Sequence, residues 1–355
     1  MAGQSSNLSC LLYGPHEAKF EDREVPVIQD PHDVIVRIAY VGVCGSDVHF
    51  WHHGGVGLKV SHDNPLTMGH EASGTIHSLG SSVTTLKIGD KVCIEPGLPC
   101  TRCKSCNLAA TISAQTWLLR HHLVLALLPM AVYASTIGLL KVFHVSLEEG
   151  VLVEPLAVAV HGNRLAGVKP GHRVVVFGAG PVGILSAAVA RQFGAVEVIS
   201  VDMNAARLEF VKKFASTGVF TPDANVDTDT NAAEIVERFK LDRGADVVIE
   251  ASGAEACIQM GIYVLAPGGT YVQTGCGKPE VMVPMTKLGE KEVVVKGAFR
   301  YGAGDFELAV GFLSDGQIDV KKLISKTVDF EEAPDAWESV GEGEGIKTII
   351  RGVQD

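Results

Sequence analysis

The sequence predicts a two-domain α/β protein, in which a doubly wound parallel sheet is inserted into a β-rich domain built from both ends of the chain. Three observations predict it. Between about 170 and 295, strand-like apolar runs alternate with helical ones, which is the signature of a parallel sheet covered by helices. One of those runs stops at a glycine-rich turn and is followed by a helix, a second strand and an acid. The first 95 residues instead carry β-branched runs punctuated by turn signals.

In chain order, Asp33-Val34-Ile35-Val36-Arg37-Ile38-Ala39-Tyr40-Val41 reads as a strand, and turns are expected around Pro26-Val27, Gly54-Gly55 and Gly89-Asp90. Strands are predicted over 172–177, 196–201, 245–250, 269–274 and 292–296, with helices over 181–193, 204–215, 232–240 and 254–264. The tail holds a helical pattern from Asp305 to Leu313 and then short mixed elements. No internal repeat is visible. The expected division is a β-rich domain over 1–155 and 297–355 and a dinucleotide-type domain over 156–296.

The totals exclude several classes. With 46% hydrophobic and 20% charged residues in 355, the composition is that of a soluble globular protein. A formal charge of -11 argues against nucleic acid or an anionic membrane surface as partner. Met1 to Asn7 has neither a basic nor an apolar signal region. Eight cysteines in so long a chain are no disulfide framework, so a reducing, cytoplasmic setting is expected.

The glycine turn is Val174-Val175-Val176-Phe177-Gly178-Ala179-Gly180-Pro181-Val182-Gly183, with Asp202 nineteen residues beyond its last glycine. Gly178 permits the tight turn, Gly180 lets backbone approach a pyrophosphate, and Gly183 lets helix and strand pack closely. The unpaired N–H groups of the following helix would face the phosphates. Asp202 would accept from a ribose 2′-OH and repel a 2′-phosphate, which favours NAD over NADP.

A second constellation points to a metal. Cys44 lies in Gly42-Val43-Cys44-Gly45-Ser46-Asp47-Val48-His49, His70 and Glu71 follow Met68-Gly69, and Glu154 precedes Pro155-Leu156. A thiolate, an imidazole and a carboxylate suit a Zn²⁺ that keeps one position open. Cys100, Cys103 and Cys106 are also spaced like metal ligands.

Taken together, Cys44-Gly45-Ser46-Asp47, Gly69-His70-Glu71, Glu154-Pro155-Leu156 and the glycine turn resemble the zinc-dependent medium-chain dehydrogenases. Phe299-Arg300-Tyr301-Gly302 and Gly275-Cys276-Gly277-Lys278-Pro279-Glu280 place the resemblance in the polyol branch, covering roughly 8–106 and 144–353. It implies a GroES-like β-rich catalytic domain beside a Rossmann domain, NAD and Zn²⁺ as cofactors, and a homotetramer. The implied reaction is oxidation of xylitol, or of sorbitol or L-arabinitol, to the ketose. Cys44, His70 and Glu71 would hold the catalytic zinc, and Glu154 would take its water or the metal itself. Ser46 would pass a proton outward or serve as a plain turn hydroxyl. Phe50, Glu154, Arg300 and Tyr301 would line the substrate side. Gly178, Gly180, Val182, Gly183, Asp202, Thr274, Gly275, Cys276, Ala298, Phe299 and Arg300 would contact NAD. Arg207 would join them or stay a solvated helix charge. His49, His52 and His53 are read as surface or supporting residues.

Two departures from the family pattern stand out. Phe50 replaces the usual Tyr, so a hydroxyl that could meet a polyol is absent. Residues 107–143 match nothing in the family, and Ala114 occupies the place of the fourth cysteine of the structural zinc lobe. His121 to Leu140 is twenty residues long without a formal charge, but Pro129 and the soluble folds on either side argue against a membrane span. Read one nucleotide earlier, Ala114-Gln115-Thr116-Trp117 can encode Cys-Pro-Asp-Met, and Met130 to Ile137 can encode Asp-Gly-Gly-Leu-Cys-Lys-Tyr-Tyr. Both phrases are family-like. A translated frameshift or mis-spliced exon across 107–143 is therefore expected, with an incomplete three-cysteine site and impaired catalysis as one consequence.

Overall fold

The computed structural model describes residues 7–55, 59–96, 132–135, 139–141 and 144–353. The chain divides into two compact units, Met1–Glu154 with Ala309–Asp355, and Pro155–Leu308.

The first unit opens with β1 (Leu8–Gly14) and β2 (Glu17–Asp22), an antiparallel hairpin, and continues with β3 (Asp33–Gly42). Helix α1 (Gly45–His53) follows, ended by Gly54 in the left-handed conformation at φ 73°. Then come β4 (Leu66–Thr67), which closes a small sheet on β1, β5 (Glu71–Leu79) and β6 (Lys91–Ile94). Two strands fall inside the 107–143 interval: β7 (Val132–Ser135) runs antiparallel to β3, and β8 (Leu139–Lys141) runs antiparallel to β6. The rest of that interval, Ala114 included, lies outside the described residues, as do Cys100, Cys103 and Cys106. A short helix, α2 (Leu147–Gly150), capped by Ser146 and Glu149 in reciprocal hydrogen bonds, leads to α3 (Val153–Ala166).

The second unit is a six-stranded sheet. Its elements are β9 (Arg173–Phe177), α4 (Pro181–Gln192), β10 (Glu197–Val201), α5 (Ala205–Phe214), β11 (Gly218–Phe220), α6 (Thr228–Arg238), β12 (Ala245–Glu250), α7 (Glu255–Val264), β13 (Leu265–Gln273), α8 (Met285–Glu290) and β14 (Val294–Gly297). The spatial order is β11-β10-β9-β12-β13-β14 and every pairing is parallel. Val174 to Phe177 are fully buried because helices cover both faces of the central strand, so the strand reads as a continuous apolar run without alternation. The order reverses between β9 and β12, and that switch point is where such sheets bind ligands.

Helix α9 (Asp305–Ser314) returns the chain to the first unit, where β15 (Ile324–Val328), α10 (Ala333–Gly341) and β16 (Lys347–Arg351) complete it. Strand β16 lies antiparallel to β3, with Ile349 opposite Gly42, so both ends of the chain share one sheet ordered β15-β16-β3-β5-β6-β8. The core there gathers Val36, Ile38, Val41, Met68, Trp51 and Trp337. Burying side chains of this size stabilises by about 1.5–3 kcal/mol each.

Candidate active site

Strand register builds the metal cluster. Gly42 at the end of β3 sits opposite Glu71 at the start of β5, so the residues just outside that pair, Cys44 and His70, converge. Gly69 supplies the turn at φ 97°, where a side chain would also strike Val41. Cys44, His70 and Glu71 each offer a ligand atom within 4.8 Å of the others. Cys44 is the N-cap of α1, and its backbone N–H donates to Asp47 Oδ2 at 2.9 Å. The other oxygen of Asp47 lies 3.5 Å from His70 Nδ1, the kind of outer contact that orients a ligating imidazole. Burial works to lower the pKa of His70, but the Asp47 carboxylate, then Cys44, outweigh it and hold it well above the ordinary value.

Glu71 also meets Lys347 in a buried ion pair, their side chains 2% and 1% exposed. Lys347 Nζ donates to Val43 O at 2.9 Å, and Gly42 makes room: a Cβ there would lie 2.1 Å from Glu71 Oε2 and 3.0 Å from Lys347 Cε. Burial disfavours the Lys347 charge, yet Glu71, Cys44 and Glu154 together hold its pKa above the usual value. The ammonium thus balances part of the negative charge of the donor set. Glu154 is buried in the first turn of α3, outside the three-residue cluster. Ser46 is exposed in the first turn of α1, and Phe50 packs its ring partly against the core.

In the second unit the three glycines occupy distinct environments. Gly178 turns at φ 92° against Ala251 and Ser252, and a Cβ on Gly183 would lie 1.8 Å from Gly178 O. A Cβ on Gly180 would meet nothing within 4 Å, so the side facing a ligand is open. Gly180 is the N-cap of α4 without a side-chain capping bond, with Pro181 at the first turn and Val182 and Gly183 after it. Asp202, just past β10, accepts from Ala179 N at 2.6 Å and Asn204 N at 2.8 Å. Those bonds fix the carboxylate beside the glycine turn. Arg207 sits half-buried in α5, its backbone N–H capped by Asn204.

The opposite side of the switch point is organised by Glu250, which is fully buried. Its carboxylate accepts from the backbone N–H of Ser252 and Gly253 and from Gln273 Nε2, while its carbonyl accepts from Thr274 and Gly275. Thr274 Oγ1 is buried with no hydrogen-bond partner among the described residues, and Cys276 is exposed. Ala298 donates to Gln273 O at 2.8 Å and Phe299 is 58% exposed. Arg300 adopts φ 58° with its guanidinium 5.6 Å from the Phe299 ring. Tyr301, by contrast, is 2% exposed and packs on Phe306. Asp305 holds this turn, accepting from Gly302 N, His161 Nδ1 (both 2.7 Å) and Arg164.

Asp47, Lys347, Glu250 and Asp305 were not singled out from the sequence as organising residues. Asp47 was visible as an acid three residues after Cys44, the spacing of a capping box. Lys347 carries no signal in its own segment, because strand pairing across the whole chain brings it to Glu71.

The fold and these sites define a class. A profile of the zinc-binding dehydrogenases matches residues 181–315, and one of the alcohol dehydrogenase GroES-like domain matches residues 30–135. The chain belongs to the zinc-dependent medium-chain dehydrogenases and is an oxidoreductase. Its relatives include the probable D-xylulose reductase A of Aspergillus clavatus, 49% identical over 98% of both chains, and the D-xylulose reductase A of Aspergillus oryzae, 47% identical over 98% of both. Among solved structures, the L-idonate 5-dehydrogenase of Escherichia coli superposes with a TM-score of 0.87 at 25% identity, covering 98% of this chain and 99% of that one. The expected polyol-branch dehydrogenase is consistent with these relatives.

Proposed function

We propose that this chain interconverts xylitol and D-xylulose, with NAD as the hydride partner and a zinc held by Cys44, His70 and Glu71. The carrying observation is that one chain unites the Cys44, His70 and Glu71 cluster with an open glycine cradle and Asp202. The similarity to D-xylulose reductases supports the substrate.

The donor set fits zinc, because a thiolate, an imidazole oriented by Asp47 and a carboxylate converge, three donors of the four that tetrahedral zinc takes. Zinc, when bound, supplies a Lewis acid that lowers the pKa of an alcohol, and NAD supplies the hydride acceptor. Asp47 keeps His70 in the tautomer that ligates, and Lys347 offsets the charge of Glu71. Ser46, exposed two residues after Cys44, would hand the hydroxyl proton to solvent. Glu154 holds a buried negative charge near the same cluster. The first turn of α4 and Gly180 bind the pyrophosphate, Asp202 the adenosine ribose, and the Glu250-organised turns the nicotinamide half.

Assembly as a homotetramer and a cytoplasmic setting belong to this reading. Cys10, Cys44, Cys93, Cys257 and Cys276 are in no disulfide with one another, which supports a reducing environment, and no helix among the described residues is long and apolar enough to cross a membrane. A second reading rests on Ala114, which takes the place of a fourth cysteine: an NAD-binding protein without turnover. NADH formation with xylitol, sorbitol and L-arabinitol separates the two. Turnover of xylitol above the others supports the first reading, and NADH binding without turnover of any of them supports the second.

A further inference from the structure

A second group of metal-type donors lies on the first unit and is made of residues other than Cys44, His70 and Glu71. His16, His52 and Glu338 each offer a ligand atom within 4.8 Å of the others. We propose that these three residues form a separate site for a divalent transition cation of the Zn²⁺ or Ni²⁺ type. Two imidazoles and a carboxylate from three distant segments form a donor set borderline metals prefer, with positions left for water.

The side chains are held in place before any cation arrives. His16 occupies the β1–β2 turn at φ 56°, a conformation costly for a residue with a side chain, and its backbone N–H donates to Trp51 O at 2.9 Å. Its ring stands edge-on to the Trp51 indole at 4.9 Å. His52, in the last turn of α1, lies against α10 where Gly341 leaves space: a Cβ there would come within 2.8 Å of His52 Nε2. Glu338 on α10 accepts from Trp51 Nε1 at 2.7 Å, the outer hydrogen bond that orients a ligating carboxylate. His16 Nδ1 lies 3.7 Å from Glu338 Oε2, and His52 Nδ1 faces His16 Nε2 at 3.3 Å. Two ring nitrogens at that distance share at most one proton, so the cluster is suited to a cation that takes both rings in their neutral form. With side chains of His16 and Glu338 51% and 46% exposed, a hydrated ion has access.

Trp51 gives the test, since it touches both His16 and Glu338 and lies 5.4 Å from Trp337. Full-length protein is titrated with NiCl₂ while tryptophan fluorescence is followed, beside the variants His52→Gln, His16→Asn and His49→Gln. Asn is chosen at position 16 because it tolerates the left-handed backbone. The proposal expects saturable quenching whose apparent Kd rises by about tenfold or more in His52→Gln and His16→Asn and stays unchanged in His49→Gln. Matched far-UV circular dichroism without metal establishes that the variants fold. If His16→Asn does not, His52→Gln alone decides, because its site is a helix surface. Absence of saturable quenching, unchanged affinity in His52→Gln, or loss in His49→Gln, which would assign the ion to the exposed His49 and His53 pair, overturns the proposal.

Discussion

Replacing Lys347 by Met leaves Glu71 as a buried carboxylate with no cation. Both side chains are at most 2% exposed, so water cannot compensate, and removing one partner of such a pair costs about 3–5 kcal/mol. Met fills the volume of the lysine stem, so packing is nearly conserved and the loss is electrostatic. The cost depends on metal: zinc at Cys44, His70 and Glu71 gives the carboxylate another cation, and the residual loss falls to about 1 kcal/mol, the value of the hydrogen bond to Val43 O. Urea unfolding followed by the fluorescence of Trp51 and Trp337, both in the core of this unit, measures the change with and without chelator. At a slope of about 2–3 kcal/mol/M, the chelated variant should unfold roughly 1–2 M earlier than the chelated wild type. A shift equal in chelated and zinc-loaded protein, or a chelated loss under about 1 kcal/mol, would refute the reasoning.

The glycine turn predicts two opposite outcomes. Gly180→Ala meets no atom of the described residues within 4 Å, so stability should stay within about 0.5 kcal/mol while NADH binding weakens by about tenfold or more, measured by fluorescence titration. Gly183→Ala drives a methyl into Gly178 O and should destabilise by about 1–3 kcal/mol in thermal unfolding as well as weakening the cofactor. Asp202→Ser should cut the preference for NAD over NADP by about tenfold in kcat/KM, and an unchanged ratio would remove Asp202 from cofactor selection. Burial raises the Cys10 thiol to about 12, so it stays protonated and unreactive below that pH, and Cys93 is raised further still. Iodoacetamide at about pH 8 should therefore modify exposed Cys276 and leave Cys10 and Cys93 intact by mass spectrometry.

Much of the second unit was legible because its signals are local. Apolar runs at 172–177, 196–201 and 245–250 fall on β9, β10 and β12, and the helix expected over 181–193 is α4. Strand β11 escaped notice since three residues, Gly218–Phe220, are too few to show a period. The same limit hid α8, a single short helix between Met285 and Glu290. In the site, motif residues such as Cys44 and His70 were readable from their neighbours. Lys347, Glu250 and Asp305 were not, because each acts through a partner fixed only by the tertiary fold: Glu71 across the sheet, the Gly253 turn, and His161. Tyr301, read from the family resemblance as a substrate-side residue, is buried against Phe306, a packing outcome that no sequence spacing displays.

Zinc titration of the metal-stripped protein tests the central claim most directly, with xylitol and NAD⁺ present and NADH formation as the readout. Activity should be absent after stripping, return as zinc is added, and never return in Cys44→Ala at any zinc concentration. Full activity in the stripped protein, or recovery of Cys44→Ala by zinc, would contradict it.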